Sequence, residues 1–403
     1  MLKRTAFVAW CLVASTGALA DARSECANRK TPPDEAITAC SQVVQAEPRA
    51  AWAYFNRGDA YSDKGDIDRA IADYDRAIAL DPKDAYAYGN RGVALIRKHD
   101  FKGGIKQLDA AIRLKPSEGS FYRERGFAYI TLVNDDEAYF KNVFSDLERA
   151  AKLSPNDPAI YAHRALAYNV KGDLDHAIVD YDKAIALDPK YAVAYKDRGD
   201  AYRNKGDLDR AIVDTDRAIA LDPNLADAYR VRGDSRLSKG ELDQAIVDYK
   251  KALTINPRDA ELLFRLGVAR FNSGDFRAAS KELLQSIELN DDSYAMLLRY
   301  LARSRAGESA EAELEANIGR LKTKEWPYAV AELYLGKRAP AATLDAATKP
   351  EQKCEAQFYI GEWRLSKGQA SEAQAALKAA VDACPKSLIE YGAAVYELKR
   401  LKP

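Results

Sequence analysis

The chain has 403 residues, of which 61 are Lys or Arg and 61 are Asp or Glu, so its formal net charge is zero. This balance argues against a large basic surface for nucleic acid. A hydrophobic fraction of 47% at zero net charge predicts a folded chain rather than a disordered one. With three His and two Met, few ligands remain for a metal site, and we expect no bound metal or cofactor.

The N-terminus has the organisation of a secretory signal peptide. A short positive region, an apolar stretch and a small-x-small cleavage site at 18–20 follow one another from the first residue. The apolar stretch is too short to span a membrane. Cys11 follows the bulky Trp10, where lipid modification requires a small residue, so no membrane anchor is expected. We predict a cut after Ala20 and a periplasmic or secreted mature protein.

The four remaining cysteines form two local pairs, Cys26 with Cys40 and Cys354 with Cys384. An even number of cysteines in an exported chain predicts disulfide bonds. The spacings are not of the Cys-x-x-Cys type, which disfavours zinc binding and thiol redox chemistry. Free buried thiols are the alternative.

A repeat of 34 residues is the strongest signal in the sequence. We number each repeat so that its central small residue is position 8, and the third repeat carries five extra residues around 133–143. Tyr recurs at position 4, small residues recur at positions 20 and 27, and Pro ends most repeats at position 32. The residues at position 8 are Gly58, Gly92, Gly126, Ala165, Gly199, Gly233 and Gly267.

The spacing predicts a helical hairpin in each repeat. Tyr54, Gly58 and Tyr61 recur at four and then three residues, which places them on one face of a helix. Gly65 suits a left-handed turn, and Asp66 suits the N-cap of a second helix. The pattern resembles the tetratricopeptide repeat family, which implies an all-α solenoid of helix-turn-helix units with a concave groove.

The residues that recur at fixed positions of the repeat also indicate the domain organisation. Aromatic residues near the insertion (Tyr139, Phe140 and Phe144) need either a partner or a fold-back onto the repeats. In the degenerate part we predict helices at Tyr294–Arg305, Ser309–Leu321, Trp326–Leu335 and Ala341–Ala347. The predicted segments are a signal peptide (1–20), an N-terminal capping half-repeat (21–50), seven repeats (51–291), degenerate helical repeats (292–353), an eighth repeat (354–387) and a C-terminal capping helix (388–403) that covers the apolar face of that repeat.

The last 80 or so residues resemble new lipoprotein I, a periplasmic repeat adaptor of Gram-negative bacteria. The resemblance implies an adaptor that brings cell-wall hydrolases to a processing protease, often as a homodimer. The present chain differs in having no lipidation motif and more repeats. The residues that carry the resemblance are Trp326, Tyr334-Leu335-Gly336, Glu355-Ala356, Phe358-Tyr359-Ile360-Gly361, Leu365-Ser366, Gly368, Glu390-Tyr391 and Glu397-Leu398.

No constellation of catalytic residues is recognisable, and we predict that the protein is not an enzyme. No Ser or Cys has a His and Asp at a known spacing, and no phosphate loop or His-Glu-x-x-His motif occurs. His99 takes the place of a turn glycine, and His176 is expected on a solvated helix face. His163 falls at position 6 of its repeat, which faces the groove in this family.

An arginine recurs at position 7, and an acidic residue recurs at position 23 in most repeats. The arginines could form a cationic track for an anionic polymer, or they could pair internally with the acidic residues. We predict pairing, because a partly buried Arg nearly always has a partner. The arginines are Arg57, Arg91, Arg125, Arg164, Arg198 and Arg232.

The groove is expected at positions 2, 5, 6, 9, 12 and 13 of the first helices. Its apolar first part carries Trp52, Phe55, Asn56, Asn90, Val93, Ile96, Phe127, Ile130, His163 and Leu166. Its charged second part carries Lys196, Asp197, Asp200, Arg203, Arg230 and Asp234. An apolar section followed by a mixed-charge section suits an extended or helical peptide. We therefore predict a non-enzymatic exported scaffold that binds a protein or peptide. The alternatives are a regulatory or substrate-delivery subunit of an envelope protease or cell-wall hydrolase, and a polysaccharide-assembly scaffold.

Overall fold

The computed structural model describes residues 18–133, 137–386 and 388–401. In these residues the regular secondary structure is helical, and no strand is present. Among the described helices, none is both long and apolar enough to cross a membrane. Most of the predicted signal peptide lies outside the described residues. The helices form two compact units, Met1–Pro189 and Lys190–Pro403.

The first unit contains five helical hairpins in chain order. A helix at 18–27, here α1, precedes the regular repeats. The other helices are α2 (Pro33–Ala46), α3 (Ala51–Asp63), α4 (Ile67–Leu80), α5 (Ala85–Arg97), α6 (Phe101–Leu114), α7 (Gly119–Leu132), α8 (Tyr139–Leu153), α9 (Pro158–Val170) and α10 (Leu174–Leu187).

The second unit contains three regular repeats, a degenerate part and the eighth repeat. The four helices predicted in the degenerate part are confirmed, with bounds shifted by a few residues. The helices are α11 (Ala192–Asn204), α12 (Leu208–Leu221), α13 (Ala226–Lys239), α14 (Leu242–Ile255), α15 (Ala260–Ser273), α16 (Phe276–Leu289), α17 (Ser293–Arg305), α18 (Glu311–Ile318), α19 (Tyr328–Tyr334), α20 (Pro340–Ala346), α21 (Pro350–Ser366), α22 (Ala370–Ala383) and α23 (Ile389–Arg400).

The turn inside each hairpin follows from its sequence. Gly65 has a φ of 80°, and the Asp66 side chain caps α4 by accepting a hydrogen bond from the Arg69 backbone N–H at 3.2 Å. His99 adopts a φ of 63° at the corresponding turn, which confirms its predicted place there. The sharp turn brings the two helices of a repeat into an antiparallel pair.

Small residues at position 8 let the two helices cross closely. A Cβ atom added to Gly58 would lie 2.8 Å from the Cε1 atom of Tyr74 on α4. In the first unit, the first helices of successive repeats (α3, α5, α7 and α9) also contact one another. These helices therefore form the inner layer of that unit, and their exposed faces make up its groove.

The N-terminal cap is a complete helix pair rather than the expected half-repeat. α1 and α2 are joined by the Cys26–Cys40 disulfide, with Cα atoms 4.8 Å apart. Cys26, Cys40, Val43 and Ala53 pack in one buried cluster that connects the cap to α3. The sequence of α1 carries none of the repeat marks, so the periodicity could not reveal it.

The aromatic residues beside the insertion fold back onto the first unit. Tyr139 stacks on Tyr129 with ring centroids 5.6 Å apart, and Phe144 packs against Tyr168 at 4.7 Å. Phe140 is half-buried in the same cluster. This fold-back packs the apolar side chains against the protein itself, so no partner is needed to cover them.

The eighth repeat is closed by the predicted Cys354–Cys384 disulfide, whose Cα atoms are 5.1 Å apart. The C-terminal helix α23 does not simply cover the end of this repeat. It contacts α22 and α21, and it also contacts α15, which lies more than one hundred residues earlier in the chain. The helix expected at 388–403 therefore packs on both helices of the eighth repeat and reaches α15 as well.

Candidate peptide-binding groove

A cavity of about 380 Å³ opens between the N-terminal cap and the inner faces of α3 and α5. Three of the predicted groove residues, Asn56, Asn90 and Val93, line it. Arg29 from the segment between α1 and α2 and Arg97 from the end of α5 also line it. The cavity therefore combines two amides, two guanidinium groups and apolar surface in one place.

A buried hydrogen-bond network organises the floor of this cavity. The Asp59 carboxylate accepts hydrogen bonds from the Tyr74 hydroxyl at 2.8 Å and from the Asn90 amide at 2.7 Å. The Asn56 amide donates to the Cys26 carbonyl oxygen at 3.0 Å, which ties the groove to the disulfide-closed cap. Burial raises the pKa of Asp59, although the two hydrogen bonds oppose that shift.

The rim of the groove carries exposed aromatic side chains. Trp52 and Tyr86 both occupy position 2 of their repeats and are 38% and 41% exposed. Exposed aromatic residues on the inner helices are a common feature of protein-binding surfaces.

A second part of the groove lies further along the first unit. The rings of Phe127 and His163 stack with centroids 4.7 Å apart, and Leu166 is half-buried beside Phe127. Burial lowers the pKa of His163 to about 4, so its imidazole is neutral near pH 7. Within the described residues, the His163 Nδ1 atom has no hydrogen-bond partner.

Three predicted groove residues are in the core instead. Phe55, Ile96 and Ile130 are 9%, 7% and 5% exposed and pack in the clusters between helices. They occupy positions 5 and 12, where they contact the second helix of their own hairpin: Ile96 lies against Gly104, and the Phe55 ring lies 6.1 Å from that of Tyr74. The groove of the first unit is therefore formed by positions 2, 6, 9 and 13.

The predicted cations of the second unit are paired with neighbouring carboxylates. Lys196 contacts Asp197, and Arg203 donates to Asp200 at 2.7 Å. Arg230 contacts Asp227 at 3.2 Å and Asp234 at 3.3 Å. An anionic ligand at this surface would have to compete with these internal partners.

Sequence reasoning missed the central role of Asp59. Its signal was present, because an Asp at position 9 coincides with a Tyr at position 24 in the first and sixth repeats. In the sixth repeat the Tyr249 hydroxyl likewise donates to Asp234 at 2.8 Å. Arg29 had no such signal, since it lies outside the repeats.

The position-7 arginines are structural, as predicted. Arg91 is the exception in detail: it contacts Asp75 of the preceding repeat at 2.6 Å because its own position 23 is Gln107. The others pair within their own repeats, Arg57 with Asp73 at 2.7 Å, Arg125 with Asp146 at 2.6 Å, Arg164 with Asp180 at 2.6 Å, Arg198 with Asp214 at 2.7 Å and Arg232 with Asp248 at 2.6 Å.

The structure offers no obvious place for metal chemistry in the part of the chain that it describes. No group of three or more His, Cys, Asp or Glu residues there is arranged to hold a metal ion. His176 contacts the capping Asp173 at 2.8 Å and stacks on Tyr168, so it belongs to an exposed helix start.

Family models of the tetratricopeptide repeat match most of the regular repeats. Models described as TPR repeat and tetratricopeptide repeat match residues 58–99, 158–191, 192–225, 233–274, 260–293 and 355–387. The chain therefore belongs to the tetratricopeptide repeat proteins.

Comparison with solved structures finds the same fold in another protein. A tetratricopeptide repeat protein from Parabacteroides merdae ATCC 43184 has a TM-score of 0.52 at 17% identity, covering 63% of this chain and 99% of its own. This likeness shows the shared fold. YrrB, described as a TPR protein with an unusual peptide-binding site, has a TM-score of 0.35 at 26% identity, covering 47% of this chain and 95% of its own. MamA has the same score and identity and covers 44% of this chain and 93% of its own.

Proposed function

We propose that the protein is an exported, non-enzymatic scaffold that holds a segment of another protein in the groove of its first unit. The cavity beside Asn56, Asn90 and Val93 is the observation that carries this proposal. It is concave, it combines apolar surface with convergent polar groups, and it opens along a row of inner helices.

The chemistry of the cavity favours a peptide backbone as the ligand. The amide nitrogens of Asn56 and Asn90 donate to protein acceptors. In the described part of the chain, neither amide oxygen accepts a hydrogen bond, so both can accept from peptide N–H groups. Val93 supplies an apolar contact for a side chain of the same segment. A main-chain ligand with apolar side chains satisfies both kinds of surface.

The two disulfides support export. Both link cysteines within one helical pair, and both lie in buried clusters. Such bonds persist in oxidising compartments and are rare in the cytosol. The signal-peptide pattern at 1–20 points to the same compartment.

Replacing Val93 with Asp should weaken peptide binding by about tenfold or more, because it places a charge against the apolar part of the cavity. Peptides selected from a displayed random library against the full chain serve as probes, and calorimetry gives their affinities. Val213→Asp is the matched control, since Val213 is 66% exposed on a second helix. Circular dichroism should show unchanged helicity for both variants. Selected peptides that tolerate Val93→Asp but are lost with Val213→Asp would contradict the proposed groove.

A second candidate narrows the partner to an envelope protease or a cell-wall hydrolase. Its support is the likeness of the C-terminal residues to new lipoprotein I. In the structure, Trp326 donates to Glu355 at 2.7 Å and Tyr359 donates to Glu390 at 3.0 Å, so these residues stabilise the tail. Co-purification from periplasmic extract, with light scattering for the homodimer, decides the matter. Recovery of a protease or hydrolase favours this candidate, and recovery of other partners alone counts against it.

A further inference from the structure

The C-terminal helix α23 occupies the groove side of the second unit. Position 13 of the first helices shows this most directly. In the seventh repeat the residue at this position, Asn272 on α15, is 4% exposed. In the six preceding repeats the residues at position 13 are all exposed: Asp63, Arg97, Thr131, Val170, Asn204 and Ser238. The covering element in the seventh repeat is α23, which contacts α15 and α21.

One face of α23 makes these contacts. Glu390, Ala393, Ala394 and Glu397 are buried, and their spacing of three, four and seven residues defines a single helical face. The small residues at the centre of this face bring the helix close to α15. A Cβ atom on Gly392 would lie 3.9 Å from the Asn272 amide nitrogen.

Specific polar contacts hold α23 at three points along its length. Near its start, Glu390 accepts a hydrogen bond from the Tyr359 hydroxyl at 3.0 Å. Near its end, Glu397 accepts one from Arg305 at 2.8 Å. Arg400 donates to the carbonyl oxygens of Phe271 and Asn272 at 3.0 and 2.5 Å. The groove thus recognises two acidic residues seven positions apart, followed by a basic residue three positions later.

The interface also contains an unusual amount of buried negative charge. Glu355 and Glu362 on α21 face Glu390 and Glu397 on α23, and all four are buried. Arg305 from α17 and Arg400 from α23 itself are the guanidinium groups in contact with this cluster. Burial of carboxylates opposes docking whenever they are ionised. The apolar packing of Ala393, Ala394 and Leu398 in the core of the second unit acts together with the polar contacts above against this cost. A competing helix has to exceed only the net stability of docking that remains.

We propose that α23 occupies the second unit's groove in place of a helix of a partner protein, and that this partner helix can displace it. The partner helix presents two acidic residues seven positions apart and a basic residue three positions further on. The binding surface consists of the inner face of α15, the end of α17, the inner face of α21 and the adjoining surface of α22. α23 itself shows which helix chemistry this surface accepts, and its removal is the condition for the partner's entry.

A fluorescently labelled peptide of residues 388–401 is the probe for this proposal, used with the full chain. Ala394→Asp introduces a charge in the buried face of the chain's own α23 and should release it. The variant is then expected to bind the probe about tenfold or more tightly than the natural chain does. Lys399→Asp is the control, because Lys399 is exposed on the same helix. A probe carrying Glu397→Lys should lose the gained affinity.

Hydrogen exchange of the α23 amides reports whether the helix has left the groove, and circular dichroism reports whether the chain remains folded. If Ala394→Asp disrupts the fold, Arg400→Ala replaces it, since it removes two hydrogen bonds at the helix end. Faster exchange in α23 without tighter probe binding would overturn the proposal, as would unchanged exchange in both variants. Val93→Asp should leave probe binding unchanged, which separates this groove from the one in the first unit.

The docking of α23 should also weaken as the pH rises. Burial raises the pKa of Glu390 to about 7 and raises the pKa of Glu362, in the latter case with help from the nearby Glu397. The folded state therefore binds these protons more tightly than the unfolded state does. Their contribution to stability is complete below the ordinary Glu pKa and is lost as the pH passes the raised values.

The groups that face this cluster come from several elements. Tyr359 lies on α21, Arg305 and Tyr294 lie on α17, and Arg400 lies on α23. Asn272 on α15 is uncharged, and the charged residues of α22 (Glu372, Lys378 and Asp382) are exposed. The melting temperature of the natural chain should fall from about pH 5 to about pH 8, and that of Glu362→Gln/Glu390→Gln should fall less. The exposed pair Glu351→Gln/Glu372→Gln is the control, and parallel curves for all three proteins would contradict the assignment.

Discussion

Replacing Arg198 with Ala is expected to lower the free energy of unfolding by ~3–5 kcal/mol, because it leaves a buried carboxylate without its partner. Asp214 is 5% exposed, and two nitrogens of Arg198 donate to it at 2.7 Å. The pair joins the two helices of one repeat, so its loss leaves a charge between them. Urea unfolding followed by circular dichroism measures the change.

A matched surface pair provides the control for this prediction. Arg210 and Asp207 contact each other at 2.6 Å within the first turn of α12, where Arg210 is exposed. Arg210→Ala should cost much less than Arg198→Ala, because exposed ion pairs contribute little to stability. Equal effects of the two substitutions would show that the position-7 arginine is not a structural element. Unchanged stability of Arg198→Ala, together with lost binding of an anionic polymer, would restore the cationic-track hypothesis.

Removal of the Cys354–Cys384 disulfide by a double Ser substitution should cost about 3–4 kcal/mol, according to the loop-entropy relation for a bridge of this span. The cysteines are 30 residues apart, and the bond closes the start of α21 onto the end of α22. The Cys26–Cys40 bridge spans 14 residues, so its removal should cost slightly less, about 3 kcal/mol. Denaturant unfolding of the two double variants gives both values.

The two bridges should differ in their effect on binding. The Cys26–Cys40 bridge holds the wall of the first unit's cavity, because the Cys26 carbonyl accepts the Asn56 hydrogen bond. Removal of the Cys26–Cys40 bridge should lower the affinity for the selected peptides, whereas removal of the Cys354–Cys384 bridge should not. An equal loss of peptide affinity in both variants would indicate that each removal acts through general destabilisation. The N-terminal cap would then not be part of the peptide-binding site.

The regular hairpins could be predicted because every one of their determinants is local. The turn glycine, the capping Asp and the small residues at helix crossings recur within one repeat, so their spacing specifies the structure. The position-7 pairing was also predictable, since Arg198 and Asp214 lie in the same hairpin and their charges recur together. Both disulfides follow from the same short-range geometry.

The errors concern the packing of helices against one another. Positions 5 and 12 were assigned to the groove, but Phe55, Ile96 and Ile130 are buried against adjacent helices. A periodic pattern gives the face of a helix to within about a quarter turn, and the boundary between inner groove and helix–helix contact is narrower than that. At position 9, Val93 lines the cavity of the first unit.

The place of α23 could not be predicted for a different reason. Its buried residues have the spacing of an ordinary amphipathic helix, and the sequence does not indicate which helices they pack against. The Arg400 contact with Phe271 spans 129 residues, and no repeat relationship connects the two positions. Buried glutamates gave a hint, because Glu390 and Glu397 lie on the face that also carries Ala393 and Ala394.

Hydrogen–deuterium exchange of the full chain, with and without a selected peptide, shows whether the peptide binds in the groove of the first unit. Binding in that groove should slow exchange in α3, in α5 and in the segment between α1 and α2 that carries Arg29. The outer helices α12 and α14, which carry the exposed Val213 and Val247, should be unaffected. Protection confined to α12 and α14, with no change in α3 or α5, would contradict the account.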